Sequence, residues 1–388
     1  MQSWIVRAAE VLACFLIASA LAMAANPYVV TNDDGVPPLI SSVSVYSVAP
    51  NGLLTLTKTV DDIGLGIGGG FFGANRIAVL DNGNQQCIYV SGAYYGEIVG
   101  VVVGTWAIGG QAYGSPTDSG AANGVGLAVN GQYLYASYTS SNTIGTFEVQ
   151  AGCTLSLIND VSVSGLAGGL INGMAIHGNM MIATFTDGSI ESFDISEGTP
   201  VSNGDEQYST ATLASKDATY PNAIDITSDG HFAIFGDTST SMVVEVSDIS
   251  SGKLTKTVVH SSKASISASN VMLSPDESVL YVVNTQGATV SALWFDKTTG
   301  TLSGGCTSGR IRGESSAWSY LGGMGLISET GNGGGVYVAE FGSPSGIAMV
   351  TLETKGGKCS LQEVPQSPFA DANSQGLLSI GTFPPRGF

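Results

Sequence analysis

Positive charge is scarce in this chain. Lys and Arg together number 13 of 388 residues against 31 Asp and Glu, giving a net charge of −18. Without a basic stripe to neutralise phosphates, the composition argues against nucleic-acid binding. Charged residues of both signs reach only 11%, yet 43% of the chain is hydrophobic, enough for a large core and against disorder. Long Ala/Glu/Lys/Leu stretches with helical period are missing, which argues against a helix bundle. No C-x-x-C pair occurs, so a structural zinc site has little support. None of the 18 asparagines begins an N-x-[ST] sequon, so N-glycans are not expected. Histidine occurs only three times.

The N-terminus reads as an export signal. Arg7 precedes an apolar run from Val11 to Ala20, and Ala22-Met23-Ala24 supplies a small-residue cleavage pattern. Residues 1–24 are therefore expected to leave as a signal peptide, and 25–388 to form one domain. No later run is long and apolar enough to span a bilayer. Four cysteines remain after the leader: Cys87, Cys153, Cys306 and Cys359. An even number in an exported chain implies two disulfides.

Glycine is abundant, at 53 residues, and it punctuates a repeat. Short segments alternating apolar and polar residues at period two recur in fixed order, bounded by Gly, Asn, Asp or Ser. First strands open at Asn75, Val125, Asn172, Asn222, Asn270 and Gly322, at intervals of 50, 47, 50, 48 and 52 residues. Four-strand units at this spacing are propeller blades. Six complete units leave three strands from Tyr28 to Val60 and one from Ser374 to Gly381. Joined, these make a seventh blade that closes the ring with both chain ends. The sequence thus predicts an all-β, seven-bladed β-propeller with four-stranded blades. Cys87 and Cys153 fall in successive blades, as do Cys306 and Cys359, which predicts the pairings Cys87–Cys153 and Cys306–Cys359.

One blade is specific in sequence: Ser274-Pro275-Asp276, Leu280-Tyr281-Val282-Val283-Asn284, Thr289-Val290-Ser291, and Asp296-Lys297-Thr298-Thr299-Gly300-Thr301-Leu302. It resembles the signature blade of lactonase-type seven-bladed propellers. That group includes 6-phosphogluconolactonase-like proteins and the fungal 3-carboxy-cis,cis-muconate lactonising enzymes, or carboxymuconate cyclases. The resemblance implies the fold, and it suggests a fungal source and a metal-independent, cofactor-free lactonising or lactone-hydrolysing activity. Such chemistry on a small carboxylate or lactone would need guanidinium groups for the carboxylates and a His or Glu to handle a proton.

Topology sorts the candidates. Loops after the second and fourth strands share one face of a propeller, and turns between first and second strands lie on the other. The first face receives Arg76, Arg310 and Arg312 as carboxylate holders, and His260 and Glu340 as proton carriers. Tyr94, Tyr95 and Glu97 complete the substrate-binding set. Arg310 and Arg312 have a plainer alternative as solvating charges on a long loop. His177 and His231 fall in the opposite turns and out of contention. Asn75, Asn172, Asn222 and Asn270 open four units at one repeat position. There they either cap strand entries or point carbonyls toward the axis as an oxygen cradle for Ca²⁺.

Against catalysis, lactonase-type propellers carry Pro-His at first-strand entrances, whereas the corresponding place here is Pro221-Asn222. The expected function is therefore binding or adhesion at a cell surface, with little or no turnover. The expected partner is an extracellular-matrix, cell-wall or host-surface component, met as a secreted monomer.

Overall fold

The structure, a computed structural model, describes residues 27–33, 40–64, 75–92, 96–114, 125–209, 220–238, 242–255, 257–262, 267–285, 287–312, 320–326, 335–341, 346–370, 377–383 and 385. The predicted leader lies outside these residues. Seven antiparallel sheets follow one another along the chain. Counting from the N-terminus, the innermost strands of blades 2 to 7 are Ile77–Asp81, Val125–Asn130, Ile171–His177, Tyr220–Ile226, Ala268–Leu273 and Tyr320–Leu326. Each begins within about two residues of the position expected from the repeat.

Blade 1 is closed by both ends of the chain. Its strands run Leu54–Val60, Ser42–Val48, Tyr28–Asp33 and finally Leu377–Phe383, which supplies the innermost position. Tyr28 pairs with Phe383 and Val30 with Gly381 in an antiparallel ladder. The first and last strands of the domain therefore cover each other's edges.

Period-two alternation explains why the ring holds together. In a propeller both faces of a blade are buried, each against a neighbouring blade. Val30 and Val45 meet Ile77, Ile88 and Val99 between blades 1 and 2. One residue along, Ala78, Tyr89 and Ile98 meet Leu134 and Phe147 of blade 3. The same arrangement continues through the seven clusters to Val29, Tyr46, Tyr337 and Ile347, which join blade 7 to blade 1. A one-residue slip in any blade would exchange its two partner faces, so the repeat fixes register strongly.

The outer strands are less regular. In blades 4 and 7 the fourth position is shared by two short pieces, Val201–Ser202 with Gln207–Tyr208, and Lys358–Glu363 with Phe369–Ala370. Both predicted disulfides form across blade boundaries. Cys87–Cys153 joins blade 2 to the outer hairpin of blade 3, and Cys306–Cys359 joins the outer strands of blades 6 and 7. The Cα separations of 5.6 and 5.8 Å lie within the usual range. Two disulfides fit an oxidising compartment. Among the described residues no helix is long and apolar enough to cross a membrane.

Candidate functional site

Second strands end in polar residues at one rim of the propeller. Asp33 is 1% exposed, Asn284 and Glu340 are fully buried, and Asp237 is also fully buried. These side chains belong to the blade interfaces. Asp33 accepts hydrogen bonds from Thr31 Oγ1 at 2.7 Å, Ser42 Oγ at 2.8 Å and Ser44 Oγ at 2.7 Å. Asn284 donates to Ser291 Oγ at 2.9 Å. In blade 4 the acid comes later, at Asp187, and takes the backbone N–H groups of Ala167, Gly169 and Ser189. Burial raises the Asp187 pKa, but these bonds and the Ser189 hydroxyl outweigh it and hold the carboxyl below its ordinary range.

Blade 2 has glycine, Gly92, at the corresponding strand end, and the acid arrives from the facing strand. Glu97 pairs with Gly92 across the ladder. Its carboxylate fills a notch left by two glycines. A Cβ on Gly64 would lie 1.3 Å from Glu97 Oε1, and one on Gly92 would lie 2.5 Å from it. Gly64 also has φ +99°, which favours glycine. Glu97 Oε2 accepts from Gln111 Nε2 at 2.8 Å and from the Tyr113 hydroxyl at 3.2 Å. Burial, and then the nearby Glu97 charge, push the Tyr113 pKa up. Gly92→Ala is therefore expected to destabilise the protein by about 1–3 kcal/mol through overpacking. Urea unfolding should show that this cost shrinks in a Glu97→Ala background.

The remaining site candidates are distributed through the scaffold. Arg76 is fully buried at the head of the blade 2 inner strand. Its N–H donates to Ser379 Oγ of blade 1 at 3.0 Å, and its carbonyl accepts from Ser91 N–H at 3.1 Å. Glu340 sits in the second strand of blade 7, its backbone paired with Leu321 and Gly346. His260 lies within Thr257–Ser262, the fourth and outermost strand of blade 5 as the repeat implied, paired with Val244. Arg310 is exposed just past the outer strand of blade 6. Two residues on, Arg312 Nε approaches Glu363 Oε2 at 3.3 Å, and its guanidinium also donates to the carbonyls of Val364 and Pro365. That strut links blade 6 to the outer part of blade 7. Tyr94 and Tyr95 lie outside the described residues.

The four asparagines do not occupy one repeated position. Asn172 and Asn222 are the extra residues of β-bulges, falling between Ile171 and Gly173 and between Pro221 and Ala223. In blade 6 the bulged residue is Ser269, so Asn270 is shifted by one and pairs with Val283. Asn75 is exposed and precedes its strand. Asn172 Nδ2 donates to Pro221 O of the next blade at 3.4 Å, an interblade tie. Bulges thus place Asn172 and Asn222 at one backbone position and Asn270 at the next. Among the described residues no group of three or more His, Cys, Asp or Glu could hold a metal ion.

A cavity of about 720 Å³ runs along the axis, walled by inner strands of blades 1 to 6. It extends from Asn75 and Asn270 to Asp81, at the end of its strand, and to Gly131 and Gly178 in the turns between first and second strands. His177, on the face opposite the strand-two loops, lines this cavity. The signal was present: inner strands of blades 2, 3 and 4 all end in a polar residue, Asp81, Asn130 and His177. His231 is exposed beside Asp229, at 3.3 Å, on the blade 5 turn.

No family model matches the chain, and no curated protein does. Solved structures do match in shape. A putative 6-phosphogluconolactonase from Bacteroides uniformis aligns with a TM-score of 0.66 at 13% identity, covering 92% of this chain and 99% of that one. Its counterpart from Bacteroides fragilis gives 0.64 at 13% identity, covering 93% and 99%. The periplasmic gluconolactonase of Pseudomonas aeruginosa gives 0.54 at 15%, covering 74% and 82%. These three neighbours carry lactonase names, consistent with the resemblance of the signature blade. At these identities the likeness establishes the fold.

Proposed function

We propose that this chain is an exported propeller that binds a surface partner, with little or no turnover of its own. The observation that carries the reading is that the would-be catalytic groups are buried in the scaffold, ion-paired or on an outer strand. Glu340 and Arg76 are enclosed in the ring, Arg312 is engaged by Glu363, and His260 is on an outermost strand. A lactonising site would instead need a proton carrier and carboxylate holders converging within hydrogen-bond reach of one substrate.

Binding is supported by apolar side chains exposed on outer strands of three consecutive blades. Ile108 of blade 2, Ile158 of blade 3 and Val201 of blade 4 are 43%, 52% and 59% exposed. Exposed apolar side chains on adjoining outer strands suit contact with a matrix, wall or host-surface component. The alternative reading, a lactonising or lactone-hydrolysing enzyme, draws on the shape shared with the gluconolactonase structures. Incubating the purified protein with 3-carboxymuconate and with simple lactones separates the two. No turnover above the uncatalysed rate is expected; a rate of about 1 s⁻¹ or faster would overturn the binding reading.

A further inference from the structure

The axial cavity carries an inference separate from the outer surface. Inner strands of five to seven residues span about 20 Å at ~3.3 Å per residue. The cavity, of about 720 Å³, follows the inner strands over that length and is therefore elongated. Val79, Val129, Ile176, Ile224 and Met272 line it and are half-buried within inner strands. Ligand pockets of a few hundred to 1,000 Å³ with mostly apolar walls are the usual form of small-molecule sites.

Most polar groups on these walls are already engaged. Asp225 accepts from Ile226 N–H at 2.9 Å and, across the blade boundary, from Leu273 N–H at 2.7 Å. Asn130 Nδ2 donates to Gly178 O at 2.7 Å, tying the blade 3 and blade 4 turns. Asp81 accepts from Gly83 N–H at 3.1 Å and Gln86 Nε2 at 3.0 Å. His177 differs. Its Nδ1 is buried without a hydrogen-bond partner, while the ring as a whole is half-exposed. The ring edge rests on Gly230 of blade 5, where a Cβ would come within 2.6 Å of Cδ2 and 2.8 Å of Nε2. With Nδ1 enclosed, Nε2 is the nitrogen left to meet a ligand. The described lining carries Asp81 and Asp225 and no Lys or Arg, so this wall disfavours an anion.

We propose that the axial cavity binds an elongated, neutral, mostly apolar molecule with one hydroxyl-type end group, held at His177 Nε2. A medium-chain alcohol has this chemistry, and the carboxylate of the same length does not.

The test uses the full mature chain labelled at histidine with ¹³C. Because the sequence holds only three histidines, His177 is resolved from His231 and His260. Titration with 1-decanol should shift the His177 ring resonance in a saturable way while leaving His231 in place. Decanoate should bind at least about tenfold more weakly at pH 8. His177→Leu should weaken decanol about fivefold, the loss of a net hydrogen bond. Ile176→Phe and Met272→Phe narrow the bore from different blades, and each folded variant should lose binding. Absence of a saturable His177 shift, equal affinity for decanoate, or binding retained in either folded variant would overturn the assignment.

Discussion

Truncation after Asn373 is expected to remove the cooperative thermal transition altogether. The lost segment includes Leu377–Phe383, the innermost strand of blade 1 and the partner of Tyr28–Asp33 along its length. Ile380 is 4% exposed and Phe383 is fully buried, and each contributes roughly 1.5–3 kcal/mol by burial alone. Losing the ladder and the close approach of Gly381 to Ile77 and Val79 adds to that cost. The sum approaches the whole stability of an ordinary domain, about 5–15 kcal/mol. The truncated chain also exposes a bare strand edge, so aggregation should accompany the loss. Circular dichroism melts and size-exclusion chromatography read the result. A soluble truncated chain melting cooperatively within a few degrees of the parent would contradict closure by the two termini.

The second large effect concerns a carboxyl pair between blades 4 and 5. Asp237 and Glu245 are both fully buried on strands of blade 5. Burial, followed by the neighbouring Glu245 charge, pushes the Asp237 carboxyl well above the ordinary carboxylate range. The folded protein therefore keeps a proton that the unfolded chain releases near pH 4. That contribution is fully present below the unfolded pKa and is lost as pH rises through the folded one. Asp187, Asp229 and Asp276 are lowered instead, and their contributions vanish as pH falls through their folded values. Wild-type stability should accordingly peak in mild acid and decline toward neutrality. Asp237→Asn replaces the protonated form with a neutral amide able to donate to Glu245. It should melt higher than wild type at pH 7, by a margin that disappears toward pH 4. Parallel melting curves for the two proteins across that window would refute the shared-proton account.

The fold was legible because propellers write their period into the chain. Gly/Asn/Asp turns every 47 to 52 residues and alternating strands gave seven blades, the terminal closure and both disulfides. The site was less legible for physical reasons. Glu97, Arg76 and Glu340 have the residue types of a binding mouth, but burial in a blade interface depends on partners distant in sequence. For Glu97 they include Gly64, whose missing Cβ leaves room for the carboxylate. Bulges shift register by one without altering composition, which is why Asn270 seemed to match Asn172 and Asn222. The cavity lining at His177 was not legible because the ligand face was chosen by analogy, whereas the cavity follows the inner strands to the opposite mouth.

The central claim is that the ring's buried charged groups serve the scaffold and not a reaction. Arg76 tests it most directly, since it is both a proposed carboxylate holder and a fully buried guanidinium. Removing one side of a buried charge arrangement costs about 3–5 kcal/mol, whereas stripping an active-site residue commonly leaves stability unchanged or raises it. For a chain of this size that cost corresponds to a drop in Tm of roughly 4–6 °C. The measurement is the Tm of Arg76→Met beside wild type at pH 7. A fall of that size is predicted; an unchanged or higher Tm would contradict the account.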